Sequence, residues 1–218
     1  MKKFPLDSKL SRQQLCYLYY MKVLFHLSED TYALFIDGDE AWAGPVTVKE
    51  FLESKGNLIC DFALNWVFYT SEEEPDAPKD SVIRRFCHRK VYNDKHIKSL
   101  VNMAVHRYDP VLFACPHCLQ SPSTGLTPWM NTSGQLGTGP YSEQRIDFTK
   151  HPYIAHYYTK TRKEWLDKLN RGRPDTDNPD YQYYSKKMAS TMEALWKERS
   201  VGEIVDYNLR NRLDGIYK

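Results

Sequence analysis

The sequence lacks several features of membrane, secreted and nucleic-acid-binding proteins. Its 218 residues include no run of about 18 apolar residues, the length that a membrane-spanning helix requires. The first residues are basic, but the apolar stretch of a signal peptide does not follow them. The 30 Lys and Arg residues nearly balance 28 Asp and Glu residues, which leaves a net charge of only +2. We therefore expect no membrane span, no nucleic-acid partner and a cytoplasmic location.

Cysteine is scarce, and repeats are absent. Five cysteines, an odd number, in a chain without a secretory signal favour a reducing compartment over a disulfide scaffold. A chain of this length with 41% hydrophobic residues can bury one core. We predict a single domain over 1–218, with a Ser-, Thr-, Gly- and Pro-rich surface loop at 121–141 and a helical tail at 181–218.

Aromatic residues, in contrast, are abundant. They make up 14% of the chain and include 16 Tyr and 5 Trp. Such a content is common in sites that stack on flat ligands such as sugars and bases.

The hydrophobic patterning predicts a mixed α/β chain with helices gathered toward its C-terminal end. An N-terminal helix begins after Ser11, and a strand buried on both faces follows at Tyr32–Ile36. Further strands are predicted within 57–68 and at Val82–Phe86, Lys95–Val101 and Tyr153–Tyr158. Further helices are predicted at Val48–Ser54, Thr161–Asn170, Tyr181–Trp196 and Val205–Leu213.

Asp37-Gly38-Asp39 directly follows the first apolar strand. Gly38 allows a tight turn, so the two carboxylates can face one point. Hard divalent cations such as Mn²⁺ or Mg²⁺ prefer oxygen ligands and leave positions open for phosphate oxygens. Transfer of a sugar from a nucleotide diphosphate needs such a cation to neutralise the leaving diphosphate. The turn therefore suggests a metal site, and the alternative is an ordinary Asp-Gly turn with solvated acids.

Segments in one consistent order resemble motifs of glycosyltransferases of the family 2 and family 92 type. The segment FIDGDE is similar to their IDxDEF motif, and IAHYYTKT is similar to INHYxxKS. The resemblance runs from about Gln13 to about Asp175, most of the chain. The segments that carry it are Phe35–Glu40, Phe62–Phe68, Val82–Phe86, Lys95–Val101, Ile154–Thr161 and Lys168–Asp175.

This resemblance implies a fold and an activity. The fold would be a single-domain, Rossmann-like glycosyltransferase of the A type with C-terminal helices. The activity would be metal-dependent transfer of a sugar from a nucleotide-diphosphate sugar to a glycan or glycoconjugate acceptor, with Mn²⁺ or Mg²⁺. Only 36 residues precede Asp37, so the resemblance also implies that much of the N-terminal nucleotide-binding half is lost or supplied by a partner chain.

The resemblance, two basic clusters and the acidic loop after the second strand together suggest the site residues. The alternative for the cluster around Arg85 is an exposed strand edge that carries charge. The metal would be held by Asp37, Asp39 and His156. The donor and its phosphates would be held by Asp37, Arg85, Lys98, Lys160 and Arg171. The acceptor would be held by Asn65, Trp66 and His117. Catalysis would rest on Asp39 and on a carboxylate base for the acceptor hydroxyl. The candidates for this base are Glu73 and Asp76 of the acidic loop, beside Glu72 and Glu74, and Asp61 of the second strand.

Two other functions remain open from the sequence. A non-catalytic subunit or glycan-binding relic would keep the acceptor side of the fold without an active donor site. A small zinc-binding module would be built around Cys115-Pro116-His117-Cys118, although no second Cys pair accompanies it. A redox function of this CxxC segment is less favoured, because no helix start clearly follows the second Cys to lower its pKa.

Overall fold

The computed structural model describes residues 12–25, 31–70, 80–106, 112–115, 117–121, 123–171 and 189–216. Helices lie mainly toward the two ends of this part of the chain, and eight consecutive strands separate the third helix from the fourth. The helices are α1 (Arg12–Phe25), α2 (Val48–Ser54), α3 (Val82–Arg85), α4 (Arg162–Arg171), α5 (Ala189–Ser200) and α6 (Asn208–Ile216).

The strands are short except for one. They are β1 (Tyr32–Leu34), β2 (Glu40–Ala43), β3 (Phe62–Thr70), β4 (His88–Arg89), β5 (Ile97–Asn102), β6 (Leu112–Cys115), β7 (Cys118–Ser121), β8 (Gly125–Leu126), β9 (Pro128–Asn131), β10 (Leu136–Thr138), β11 (Tyr153–His156) and β12 (Ile204–Val205).

A mixed sheet of nine strands is built around β3. Five of the nine strands follow the order β1-β5-β3-β11-β2, with β3 antiparallel to β5 and parallel to β11. The other four join through β3, since β4 and β9 pair with β3, β12 pairs with β4 and β10 pairs with β9. All nine residues of β3 are buried. The protein is therefore an α/β protein with a mixed sheet, and the strands β6, β7 and β8 form a separate small antiparallel sheet.

The two faces of β3 support two different cores, because successive side chains of a strand point to opposite faces. Trp66 and Phe68 pack on one face with Phe51 of α2. Val67 and Tyr69 pack on the other face, in the cluster that also contains Phe86, Tyr153, Tyr157 and Leu209. Layers on both sides of the sheet thus hold the central strand in place.

Several predicted elements are confirmed. The helix α2 spans Val48–Ser54 as predicted, and Thr47 and Glu50 form a capping box at its start. The first helix, β3, β5, β11 and α4 also form where the hydrophobic pattern places them, within a few residues. Of the predicted helix Tyr181–Trp196, residues 181–188 lie outside the described residues, and α5 runs from Ala189 to Ser200.

The strand predicted at Val82–Phe86 is wrong. Residues Val82–Arg85 form a helical turn instead, because the Ser81 side chain caps it by accepting a hydrogen bond from the Arg84 backbone N–H at 3.4 Å. Phe86 then leaves the turn in an extended conformation and enters the core.

The surface loop predicted at 121–141 is also wrong. This segment contains β8, β9 and β10, and β9 pairs in parallel with the start of β3. Trp129 of β9 is buried, and its indole N–H donates to the Gly139 carbonyl at 2.8 Å. A Cβ at Gly137 would lie 2.3 Å from the Trp129 ring, so glycine is required for this packing. The Ser-, Thr-, Gly- and Pro-rich composition of this segment predicts its turns correctly but gives no signal for the short strands between them.

Two smaller corrections concern the ends of the sheet. The strand predicted at Tyr32–Ile36 is shorter, and only Ala33 of β1 is buried, because among the described strands β1 pairs with β5 alone. The tail is not purely helical, since β12 pairs with β4, and α6 begins at Asn208 rather than at Val205.

None of the helices in the described ranges has the length and apolar character needed to cross a membrane.

Candidate functional site

The Asp37-Gly38-Asp39 turn connects β1 to β2, and these two strands lie at opposite ends of the order β1-β5-β3-β11-β2. The turn is closed by the Glu40 backbone N–H, which donates to the Asp37 carbonyl at 3.0 Å. Because β1 pairs with β5 and β2 pairs with β11, the turn lies close to residues of both partner strands. Glu40 is the direct register partner of His156.

Asp37 and Glu40 share one buried lysine. Lys98 of β5 has a side chain with 0% exposure, and its Nζ lies 3.0 Å from Asp37 Oδ2 and 3.2 Å from Glu40 Oε2. The other oxygen of Asp37 accepts a hydrogen bond from Gln13 Nε2 of α1 at 2.8 Å. Both carboxylate oxygens of Asp37 therefore already have donors from the chain.

Burial and charge oppose each other in this group. Burial alone would lower the pKa of Lys98, but the carboxylates of Glu40 and Asp37 outweigh it and raise that pKa. Burial raises the pKa of Glu40 to about 7, although Lys98 acts in the opposite direction. Lys98 is thus held as an ammonium ion beneath the turn, while Glu40 exchanges a proton near neutral pH.

Asp39 faces two other lysines from the C-terminal part of the chain. Its Oδ2 lies 3.2 Å from Lys160 Nζ and 3.6 Å from Lys168 Nζ of α4. Burial favours the neutral acid, but the neighbouring positive charges outweigh it, so the pKa of Asp39 is lowered. The backbone of Lys160 has a φ of 55°, in the left-handed region that is rare for residues other than glycine.

His156 of β11 lies between the two acids and a tryptophan. Its Nε2 is 3.8 Å from Asp39 Oδ1, its Nδ1 is 4.0 Å from Glu40 Oε1, and its ring centroid is 4.2 Å from that of Trp66. Burial lowers the pKa of His156 well below its ordinary value, so the imidazole is neutral. His156 Nδ1 and Glu40 Oε1 are both buried without a hydrogen-bond partner.

Aromatic and imidazole rings form one wall of the site. His96 stacks on Trp66 with a centroid distance of 5.0 Å and an interplanar angle of 25°, and His117 meets Trp66 edge-on at 4.7 Å. The His96 ring nitrogen Nδ1 lies 2.5 Å from Asp94 Oδ1, which also accepts from the His96 backbone N–H at 2.9 Å. Asp94 therefore fixes the orientation of the ring that covers Trp66.

No protein-family model matches this chain, and no curated protein matches it. Function must therefore be argued from the geometry of this site. The structure brings together seven of the residues that the sequence singles out: Asp37, Asp39, Trp66, Lys98, His117, His156 and Lys160.

Other residues singled out by the sequence lie elsewhere. Asn65 is fully buried, and its amide group donates to the carbonyls of Asp94 and Ser142 at 3.1 and 2.9 Å, so it holds loops behind the wall. Arg85 forms a two-pronged ion pair with Glu164 of α4 at 2.9 and 2.6 Å. Glu73, Asp76 and the side chain of Arg171 lie outside the described residues.

The fit to a divalent cation differs between the two aspartates. Asp37 is engaged by Lys98 and Gln13, which occupy both of its oxygens. Asp39 Oδ1 and His156 Nε2, at 3.8 Å, are close enough for one cation with ligand distances of about 2.1 Å to contact both. In the part of the chain that the structure describes, no group of three or more His, Cys, Asp or Glu is placed to hold a metal ion.

The sequence did not reveal three features of this site. Glu40 and Lys168 belong to the motifs quoted above, but their contacts follow from strand pairing and helix placement. The Asp94–His96 pair lies in the turn before β5. An Asp two residues before a His, adjacent to a buried strand, was a signal that could have drawn attention to this pair.

Proposed function

We propose that the chain is a glycosyltransferase of the A-type fold that transfers a sugar from a nucleotide-diphosphate sugar to a glycan or glycoconjugate. One observation supports this function best. Asp39 lies beside His156, Lys160 and Lys168, more than 115 positions later in the chain. Residues of three of the segments that carry the resemblance, Phe35–Glu40, Ile154–Thr161 and Lys168–Asp175, therefore meet at one point.

Lys160 and Lys168 would bind the diphosphate of the donor. Their ammonium groups both lie near one carboxylate oxygen of Asp39, and their side chains are 24% and 32% exposed. An incoming diphosphate can therefore reach them from solvent and compete for the same charges. Lys98 has no such access, and its part would be to hold the turn through Asp37 and Glu40.

Asp39 and His156 would hold the divalent cation, Mn²⁺ or Mg²⁺, with phosphate oxygens completing its coordination. A bound cation would neutralise the charge that develops on the leaving diphosphate. The chain contributes the neutral imidazole of His156, a ligand that needs no deprotonation, and the buried side chain of Trp66 beside it. The contacts of Asp37 with Lys98 and Gln13 assign it to positioning the turn.

The wall of Trp66, His96 and His117 would face the acceptor. Sugar CH groups pack well against aromatic rings, and imidazole nitrogens can bind hydroxyl groups. Glu73 and Asp76 remain the predicted bases for the acceptor hydroxyl, and they follow directly after β3, the strand that carries Trp66.

Calorimetric titration of UDP and GDP, with and without Mn²⁺, tests this function. We expect one nucleotide to bind wild type in a Mn²⁺-dependent manner, and Asp39→Ala to weaken that binding at least tenfold. The matched control is Asp167→Ala, an exposed aspartate of α4, which should bind as wild type does. A folded wild-type chain that binds neither nucleotide would overturn the proposal as a stand-alone enzyme.

A further inference from the structure

Two cysteines face each other at the end of the β6–β7 hairpin. Cys115 ends β6 and Cys118 begins β7, and their Cα atoms are direct register partners. Their sulfur atoms lie 3.4 Å apart as free thiols. A disulfide bond has a length of about 2.05 Å, so only a small approach of the two sulfur atoms separates this dithiol from a disulfide.

The two thiols differ in access and in acidity. Cys118 is 2% exposed, whereas Cys115 is partly exposed to solvent. A hydrogen bond from the Cys118 thiol, helped by backbone N–H groups of the turn, lowers the pKa of Cys115 to about 6. The same pairing raises the pKa of Cys118. Cys115 is thus the accessible thiolate and Cys118 the protected thiol behind it.

The hairpin turn is anchored to the central sheet through His117. Its carbonyl accepts a hydrogen bond from Ser99 Oγ at 2.9 Å, and its ring nitrogen Nδ1 lies 3.0 Å from the Ile97 carbonyl of β5. These contacts hold His117, the residue directly before Cys118, by both its main chain and its side chain. The sulfur atoms are therefore kept close together by the fold.

We propose that Cys115 and Cys118 form a reversible dithiol–disulfide site, in which Cys115 attacks a low-molecular-weight disulfide and Cys118 resolves the product. In the first step the Cys115 thiolate bonds to one sulfur of the small disulfide, and the other sulfur leaves as a thiolate. In the second step Cys118 loses its proton and attacks the Cys115 sulfur, which expels the second small thiolate. Two protein thiols are oxidised and one small disulfide is reduced to two thiols.

The chain provides its own reference thiols. Cys16 is exposed on α1, and Cys60 and Cys87 have pKa values raised by burial. None of these three forms a pair like that of Cys115 with Cys118 among the described residues. Cys16 is the matched control, because it is exposed and lies on a different element.

Equilibration of the folded chain with reduced and oxidised glutathione, followed by mass mapping of peptides, tests the site. We expect wild type to lose two hydrogen atoms and to yield a peptide cross-linked between Cys115 and Cys118. In Cys118→Ser the resolving step is blocked, so a glutathione adduct should accumulate on Cys115 at least tenfold faster than on Cys16 at pH 7. In Cys115→Ser no adduct should form on Cys118 at a comparable rate.

Alkylation of wild type by iodoacetamide at pH 7 keeps the test independent of the folding of the variants. Cys115 should react at least tenfold faster than Cys16. Absence of the Cys115–Cys118 cross-link at every glutathione ratio, or an equal alkylation rate for Cys115 and Cys16, would overturn the proposal. Neither readout depends on nucleotide binding, so this inference and the proposed transferase activity can fail separately.

Discussion

Two buried histidines of this protein lie beside an aspartate, and their surroundings differ. His106 Nε2 lies 2.7 Å from Asp61 Oδ2, and the other oxygen of Asp61 accepts from the Asn102 backbone N–H at 2.8 Å. His156 Nε2 lies 3.8 Å from Asp39 Oδ1, which is too long for a hydrogen bond, and its Nδ1 has no partner.

The difference separates a structural pair from a site that is ready for a ligand. Asp61 precedes β3 and His106 lies in the turn after β5, so their bond ties the ends of two neighbouring strands together. A buried polar atom without a partner costs about 1–3 kcal/mol. The pair of Asp39 and His156 bears this cost, and the pair of Asp61 and His106 does not. This difference is expected if a ligand completes the contacts of His156.

The largest effect is expected from Asp61→Ala. This change leaves His106 and the Asn102 N–H buried without their acceptor, and each buried polar group that loses its partner costs about 1–3 kcal/mol. Urea denaturation at pH 7, followed by circular dichroism, measures the free energy of unfolding.

Asp167→Ala is the control for that measurement. Asp167 is exposed on α4, and alanine favours a helix, so we expect little change in the free energy of unfolding. If Asp61→Ala loses no more stability than this control, the Asp61–His106 bond is not the structural tie described above.

Much of the fold follows from the sequence because the central elements have clear local signals. The strand β3 is apolar except at Asn65 and Thr70, and Thr47 with Glu50 marks the start of α2. The helical turn at Val82–Arg85 was missed because its apolar residues also suit a strand, and only the Ser81 cap decides between them. The strand β9 was missed because it draws its stability from pairing with β3, which is distant in sequence.

The site was predictable only in part, because some of its contacts also depend on strands that are distant in sequence. The Asp37-Gly38-Asp39 turn carries its own signal, whereas His156 was assigned through a resemblance. The contact of Lys98 with both Asp37 and Glu40 depends on β5 lying between β1 and β3. No local pattern encodes such a contact, because it arises from the order of strands in the sheet.

A third histidine sharpens the comparison through its response to pH. Burial lowers the pKa of His117 to about 4, from an ordinary value near 6.5. Between these values the unfolded chain binds a proton that the folded chain does not, so His117 reduces stability as the pH falls from 6.5 toward 4. This contribution is at most about 1.4 kcal/mol per pH unit.

Unfolding free energies measured between pH 7 and pH 4 test this expectation. His117→Gln should show a shallower loss of stability toward acid than wild type. His151→Gln is the matched control, because it replaces a histidine in a turn away from the site. Equal slopes for wild type and His117→Gln would mean that the His117 ring is more accessible to protons than its packing against Trp66 indicates.

The smallest effect on stability is expected from Asp39→Ala, the substitution that should weaken Mn²⁺-dependent nucleotide binding at least tenfold. Asp39 makes no hydrogen bond to His156, and its ion pairs with Lys160 and Lys168 involve partly exposed lysines. Such pairs contribute about 0–1 kcal/mol each. The free energy of unfolding should therefore change far less than in Asp61→Ala under the same urea conditions. A loss as large as that of Asp61→Ala would instead place Asp39 and His156 among the structural pairs, and a loss of nucleotide binding in this variant would then say nothing about a donor site.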